Sequence, residues 1–170
     1  MFSWIVQTFR MYIDKPDKTD TEKHGIEELK VALVEKLPLL VSLDREISKA
    51  LINEFLGEKM SQVLRKIRLD PTLQLEVLEK FLSKYDENKK IDSEYLILHI
   101  HLLALNHKKG RKRVKDVLQR SNRYPLDACL DICQDNDIKD AWAYLELKRG
   151  DVAKAIEIIY IVKYGRVVVV

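Results

Sequence analysis

The chain has little of what interrupts regular structure. It holds 5 glycines and 4 prolines in 170 residues, few for a protein built on hairpins and turns, so each one that occurs acts as punctuation. It has only 2 cysteines, Cys129 and Cys133, four positions apart on one expected helix, where the backbone does not readily let a pair close a disulfide. A disulfide-stapled scaffold is thereby excluded, and a reduced, intracellular setting is the expectation. No run of about 18 or more apolar residues exists, which excludes a membrane-spanning helix. The opening MFSWIVQTFRMYI has no basic start, is broken by Arg10 and precedes no small-residue cleavage site, so it does not read as a signal peptide. A formal charge of +3 is too small by itself to argue for a nucleic-acid partner.

What is present is helix, with hydrophobic residues at 46% and charged residues at 34%. That balance suits one domain with a real core and long, salt-laced helices. Phe2, Ile5, Val6, Phe9, Tyr12 and Ile13 fall on one helical face. Packing on the next helix is preferred to a membrane-surface anchor for it. Asp14 to Thr21 is polar and reads as a linker, so residues 1–21 form an N-terminal helix and linker. A helix beginning near Glu22 carries Ile26, Leu29, Leu33 and Leu37 along one stripe, and Pro38 is expected to end or kink it. Asp44 caps a helix with Ile47, Leu51 and Phe55 inside and Gly57 beyond its end. A short helix from Lys59 to Ile67 follows. Asp70-Pro71 then opens a helix bearing Leu73, Val77, Leu78, Phe81 and Leu82. After a charged turn at Asp86–Lys90, Asp92 or Ser93 starts a helix over Tyr95–Leu105 that is apolar almost all round and therefore needs neighbours on both sides. Gly110 separates it from a basic helix, Arg111–Gln119, with Val114, Val117 and Leu118 on its inner face.

The most regularly punctuated stretch runs from Arg123 to Ile159 and reads as three short amphipathic helices. Pro125, after Tyr124, is placed at the first helical position, where its missing N–H costs nothing. Asn136 and Asp137 form a turn. Gly150 supplies a left-handed residue, and Asp151 caps the next helix. Apolar residues repeat at helical spacing: Leu126, Leu130 and Cys133; Ala141, Tyr144 and Leu145; Val152, Ala155, Ile156 and Ile159. Small Ala141, Ala143 and Ala155 beside large Trp142, Tyr144 and Leu145 suit ridge-into-groove packing. With about nine to eleven helices and hairpins starting roughly 30 to 40 residues apart, the fold class is all-α, an α-solenoid of stacked antiparallel helical hairpins. The only strand candidate is Val167–Val170.

The same stretch carries a resemblance. Tyr124-Pro125-Leu126-Asp127, then Cys129-Leu-x-Ile-Cys133, then Ile138-Lys-Asp-Ala141-x-Ala-Tyr144-Leu145, then Gly150-Asp151-Val-x-x-Ala155-Ile resembles the clathrin-heavy-chain-type repeat. The version it resembles is that of the large vacuolar-sorting tether subunits of the HOPS and CORVET complexes, nearest to the CORVET-specific subunit and its relatives. The similarity covers roughly residues 26 to 160 and is sharp from Tyr124 to Ile156. It implies a repeat segment over residues 22–164 and a non-enzymatic scaffold in vesicle tethering and endosome or vacuole protein transport. Such a scaffold is cytoplasmic, peripheral to endosomal or vacuolar membranes, with other subunits of a tethering complex as partners. It implies no cofactor and no small-molecule substrate. Family members are far longer and usually carry an N-terminal β-propeller. With the apolar tail YGRVVVV (165–170 in the tail), the chain therefore reads as a fragment of a longer protein or the product of a truncated gene.

Chemistry-bearing candidates are few. Cys129 and Cys133 read as buried core thiols, since His24, His99, His101 and His107 sit on other expected helices and zinc sites have tighter ligand sets. His99 and His101, two apart, point to different sides. No spacing suggests a nucleophile–base pair, so an enzyme is not expected. The one functional-looking charge feature is Lys108, Lys109, Arg111, Lys112, Arg113 and Lys115, a patch for an anionic partner or a solvated turn. A peripheral membrane-lipid or nucleic-acid binder working through this run is the alternative function. Aromatic residues do not interleave with the run, which counts against single-stranded nucleic acid. Asp127, Asp131, Asp135, Asp137 and Asp140 follow closely enough to neutralise part of it.

Overall fold

Side-chain caps mark the starts of five of the nine helices among the described residues. In the computed structural model, which describes residues 4, 7–8, 10–11, 17–85, 91–106 and 109–164, nine α-helices and no strand occur among the described residues. Expectations for the aromatic face at residues 2–13, the 86–90 turn, His107, Lys108 and the terminal valines lie outside the described residues.

The contacts gather into two units, residues up to Lys84 and residues from Tyr85. The first holds α1 (Asp20–Leu43), α2 (Arg45–Phe55), a 3-10 turn (Gly57–Lys59), α3 (Met60–Lys66) and α4 (Pro71–Leu82). A capping box starts α1 two residues before Glu22. Thr19 Oγ1 accepts the Glu22 N–H at 3.3 Å, and Glu22 Oε2 accepts the Thr19 N–H at 2.9 Å. Of the two expectations for Pro38, that it ends the helix is not met, since the helix runs on to Leu43. Pro38 removes the N–H that would bond the Val34 carbonyl. Burial of Leu37 just before it, and the Asp44 N–H donating to the Leu40 carbonyl at 2.9 Å just after, carry the helix past. Asp44 and Asp70 cap α2 and α4 as expected, accepting from the Ile47 and Leu73 amides at 3.0 and 2.9 Å.

Within this unit α1 packs on α2 and α3, and α2 packs on α4. Leu51, Phe55, Met60, Val63, Leu64, Ile67, Leu73, Val77 and Leu78 are buried, whereas Leu29 of the expected α1 stripe is exposed. Ion pairs lace the outside. Glu76 of α4 takes both Arg45 and Lys49 of α2, and Glu27 takes Lys30 and Lys59.

The second unit holds α5 (Ser93–Leu105), α6 (Gly110–Arg120), α7 (Leu126–Asp135), α8 (Lys139–Arg149) and α9 (Val152–Tyr164). Helix α5 pairs with α6 and α7 with α8, while α5 also packs on α7 and α6 on α8. One hairpin is thus layered on another, like helix against like. Helix α9 closes on α8. The turn into α6 is tight enough to require glycine, because a Cβ on Gly110 would collide with the Leu103 carbonyl oxygen.

Two corrections fall in the punctuated stretch. Pro125 is the capping residue rather than the first helical one. Its ψ of 120° is extended, and its carbonyl accepts the Cys129 N–H at 3.1 Å. The α9 stripe is also rotated. Ala155 and Ile158 are buried, while Val152, Ile156 and Ile159 are 53%, 60% and 50% exposed. Helix α9 is apolar on nearly every side, so spacing alone does not select the face that meets α8.

Both helix ends in this stretch use one device. At the end of α8, Gly150 has φ 96°, its N–H donates to the Leu147 carbonyl, and the Asp151 N–H reaches back to the Glu146 carbonyl at 3.0 Å. At the end of α7 the same pattern recurs with Asp137 at φ 52°. Its N–H donates to the Gln134 carbonyl at 3.0 Å, and the Ile138 N–H to the Cys133 carbonyl at 2.8 Å. Asp151 also caps α9, accepting the Lys154 N–H at 3.0 Å.

Candidate functional site

The described members of the basic run sit in different surroundings. Arg111, on the first turn of α6, is half-buried and donates to the carbonyls of Ala104, at 3.4 Å, and of Asn136. These carbonyls lie at the C-terminal ends of α5 and α7, where helix backbones leave acceptors without an internal partner and favour positive charge. Arg111 therefore stitches two helix ends together. Lys109, Lys112 and Arg113 are exposed and Lys115 is half-buried. Of the nearby aspartates, Asp137 pairs with Lys139 at 3.7 Å.

Lys112 and Lys115 follow the turn of α6 onto the side that faces α8 and α9, and there they border a groove. One lobe, of about 370 Å³, has Lys115 and Gln119 on one wall and Ile159, Val162 and Lys163 on the other. Its floor is Ala143, Tyr144 and Leu147 of α8. A second lobe, of about 390 Å³, continues it past Lys112 and Arg111 to Ile138 and Ile161. Lys139, Asp140 and Val162 line both lobes, so they form one depression along α8.

The rest of the motif residues are structural. Cys129, Cys133, Ala141, Ala143, Leu145 and Ala155 are buried on α7, α8 and α9. Burial pushes both thiols up to about 12, so each is a neutral, free core side chain at ordinary pH. No group of three or more His, Cys, Asp or Glu side chains able to hold a metal occurs among the described residues. His99 is buried and His101 exposed, as their spacing implied. His99 Nδ1 and the Tyr124 hydroxyl share a hydrogen bond of 2.9 Å, which ties the start of the motif to α5. Leu126 is half-buried and Asp127 exposed.

Sequence reasoning missed Glu146, which has no exposed surface at all. Trp142 Nε1 and Lys154 Nζ meet its Oε1 at 3.0 and 3.1 Å. Arg149 Nη2 lies 2.6 Å from Oε2, in an ion pair whose angles fall short of a hydrogen bond. A buried carboxylate with two cations and an indole donor is compensated, and its removal or the removal of its partners is costly. The Trp142, Glu146 and Arg149 spacing, four and three apart on one helix, was the available signal. The knot binds α8 to α9 through Lys154.

Comparison of the chain with family models, curated proteins and solved structures finds no match in any of the three. No helix among the described residues is long and apolar enough to cross a membrane.

Proposed function

We propose that the chain is a non-enzymatic α-solenoid segment that serves as a protein–protein scaffold in vesicle tethering, within endosome and vacuole protein transport. The observation that carries this reading is the layering of hairpins. Helix α5 lies on α7 and α6 on α8 while each also pairs within its own hairpin, and in the first unit α1 lies on α3 and α2 on α4, with α1 paired to α2. Such stacking makes extended surfaces from nearest-neighbour contacts. The resemblance of Tyr124–Ile156 to the clathrin-heavy-chain-type repeat of tether subunits supplies the setting, cytoplasmic and peripheral to endosomal or vacuolar membranes. Partner subunits bind the stacked-helix surface with no turnover.

The test is to tag the full chain in cells, image it against endosomal and vacuolar markers, and follow sorting of a vacuolar hydrolase after its deletion. Marker-positive puncta with hydrolase mis-sorting are expected. A diffuse signal with normal sorting overturns the setting. Puncta that depend on Lys109, Lys112 and Arg113 and on anionic lipid, without any partner subunit, favour the peripheral lipid binder instead.

A further inference from the structure

We propose that the groove between α6, α8 and α9 is a docking site for an acidic amphipathic helix of a partner protein. The proposal rests on the scaffold reading and names the chemistry of what that scaffold holds.

The floor requires apolar side chains. Leu147, Ile159 and Val162 are 46%, 50% and 56% exposed, and they sit together with the half-buried Tyr144 rather than scattered singly. Half-exposed walls do not enclose a small molecule, which a binding pocket normally buries over most of its surface. The depression instead runs along α8 from Lys139 to Leu147, roughly 12 Å at 1.5 Å per residue. That length matches the i, i+3, i+4 and i+7 side chains of a helix laid in a groove.

The rim determines the charge of the occupant. Lys112, Lys115, Lys139 and Lys163 border the two lobes, and Arg111 adds its charge at one end while its guanidinium is spent on carbonyls. Asp137 and Asp140 are the carboxylates that face them. Lys139 is partly answered by Asp137, and Lys163 lies over the Tyr164 ring with its ammonium 5.3 Å from the centroid. Lys112 and Lys115 have no hydrogen-bonded or ion-paired partner among the described residues. A cationic rim over an apolar floor is complementary to a helix with aliphatic residues on one face and glutamate or aspartate flanking them. A nucleic acid or a lipid surface would use the lysines and leave the floor unfilled.

The probe is a fluorescein-labelled synthetic helix of about 14 residues, near four turns, with leucine at i, i+3, i+4 and i+7 and glutamate beside them. Two controls accompany it, one with lysine replacing glutamate and one with the leucines scrambled out of helical register. Fluorescence anisotropy with the full chain is expected to give saturable binding of the acidic helix, weaker by about tenfold or more for either control. Lys115→Glu with Lys163→Glu is expected to weaken it to a similar degree, as is Ile159→Ser, with helix content by circular dichroism unchanged. Leu147→Ser replaces Ile159→Ser if the latter loses helix.

Absence of binding overturns the proposal. So does binding indifferent to the Lys115/Lys163 reversal, or equal binding of the scrambled peptide, which would mean charge alone. Uptake onto phosphatidylserine vesicles without peptide binding would assign the rim to lipid and overturn it. A dimer in sedimentation that Ile159→Ser dissociates, with no peptide bound, would assign the groove to a second copy and overturn it as well. Puncta on endosomes without peptide binding leave the scaffold reading standing and remove the groove. Peptide binding by a chain diffuse in cells removes the setting and leaves the groove.

Discussion

Asp137 and Gly150 occupy equivalent positions in two helix-ending turns, and exchanging their chemistry tests the backbone reading directly. Gly150 holds φ 96°, and a Cβ added there meets nothing within 4 Å. Replacement therefore costs backbone strain, about 1–2 kcal/mol for alanine or valine, offset in part by about 0.4–1 kcal/mol from the less free unfolded chain. Asp137 holds φ 52°, where a side chain already bears part of that cost. Asp137→Gly relieves it, loses about 0.4–1 kcal/mol through the freer unfolded chain, and gives up the long, exposed pair with Lys139, which is worth little. The net expectation is a gain of at most about 1 kcal/mol. For a unit of this size, 1 kcal/mol moves Tm by roughly 4–8 °C. Thermal melts by circular dichroism should place Gly150→Ala and Gly150→Val below the parent and Asp137→Gly above it. An unchanged Tm for both Gly150 variants together with a lowered Tm for Asp137→Gly would refute the left-handed turns.

Ala155 is fully buried against α8, so Ala155→Phe should overpack that contact and lower stability by about 1–3 kcal/mol in urea titration. Arg111→Met leaves two helix-end carbonyls without their donor and should lower stability by about 1–3 kcal/mol. Lys112→Glu, one residue away and exposed, should leave Tm unchanged. With their titration pushed to about 12, Cys129 and Cys133 should resist a thiol-labelling reagent at pH 8 in the folded protein and react fully in urea. Hydrogen bonds from Lys30 and Lys59 hold the Glu27 carboxyl below its ordinary value. The stability it lends is present above the unfolded value, about 4.3, and is lost as pH falls through the lower folded one. Glu27→Gln should therefore flatten the acid limb of a Tm-against-pH profile, by a small amount because the side chain is half exposed.

The helices were legible because short side chains mark their ends. Asp44, Asp70, Asp92 and Asp151 each accept an amide two or three residues on, and each stood in the sequence before an apolar repeat. The Thr19–Glu22 box is equally visible in the sequence and places the start ahead of Glu22. Failures came where pattern carries no direction. Helix α9 is apolar on most sides, so its packed face was settled by α8 rather than by its own spacing. Arg111 looked like its cationic neighbours. Its distinction depends on where the ends of α5 and α7 fall, which no local pattern encodes. The groove was illegible for the same reason. Its lysines come from three helices, and only Lys112 and Lys115 belonged to the run that drew attention. Glu146 was hidden by the expectation that glutamate is exposed.

The Glu146 knot also has a kinetic consequence. Its partners Trp142, Arg149 and Lys154, and the amides of Gly150 and Asp151 that reach the Glu146 carbonyl, all lie within a dozen residues of chain. Contacts this local close small loops, so the entropy lost in forming them is modest and they assemble early. We expect the α8–α9 pair to form early and to nucleate its unit. Substitutions within it should slow refolding, whereas those at the Tyr124–His99 link, which spans 25 residues, should chiefly hasten unfolding.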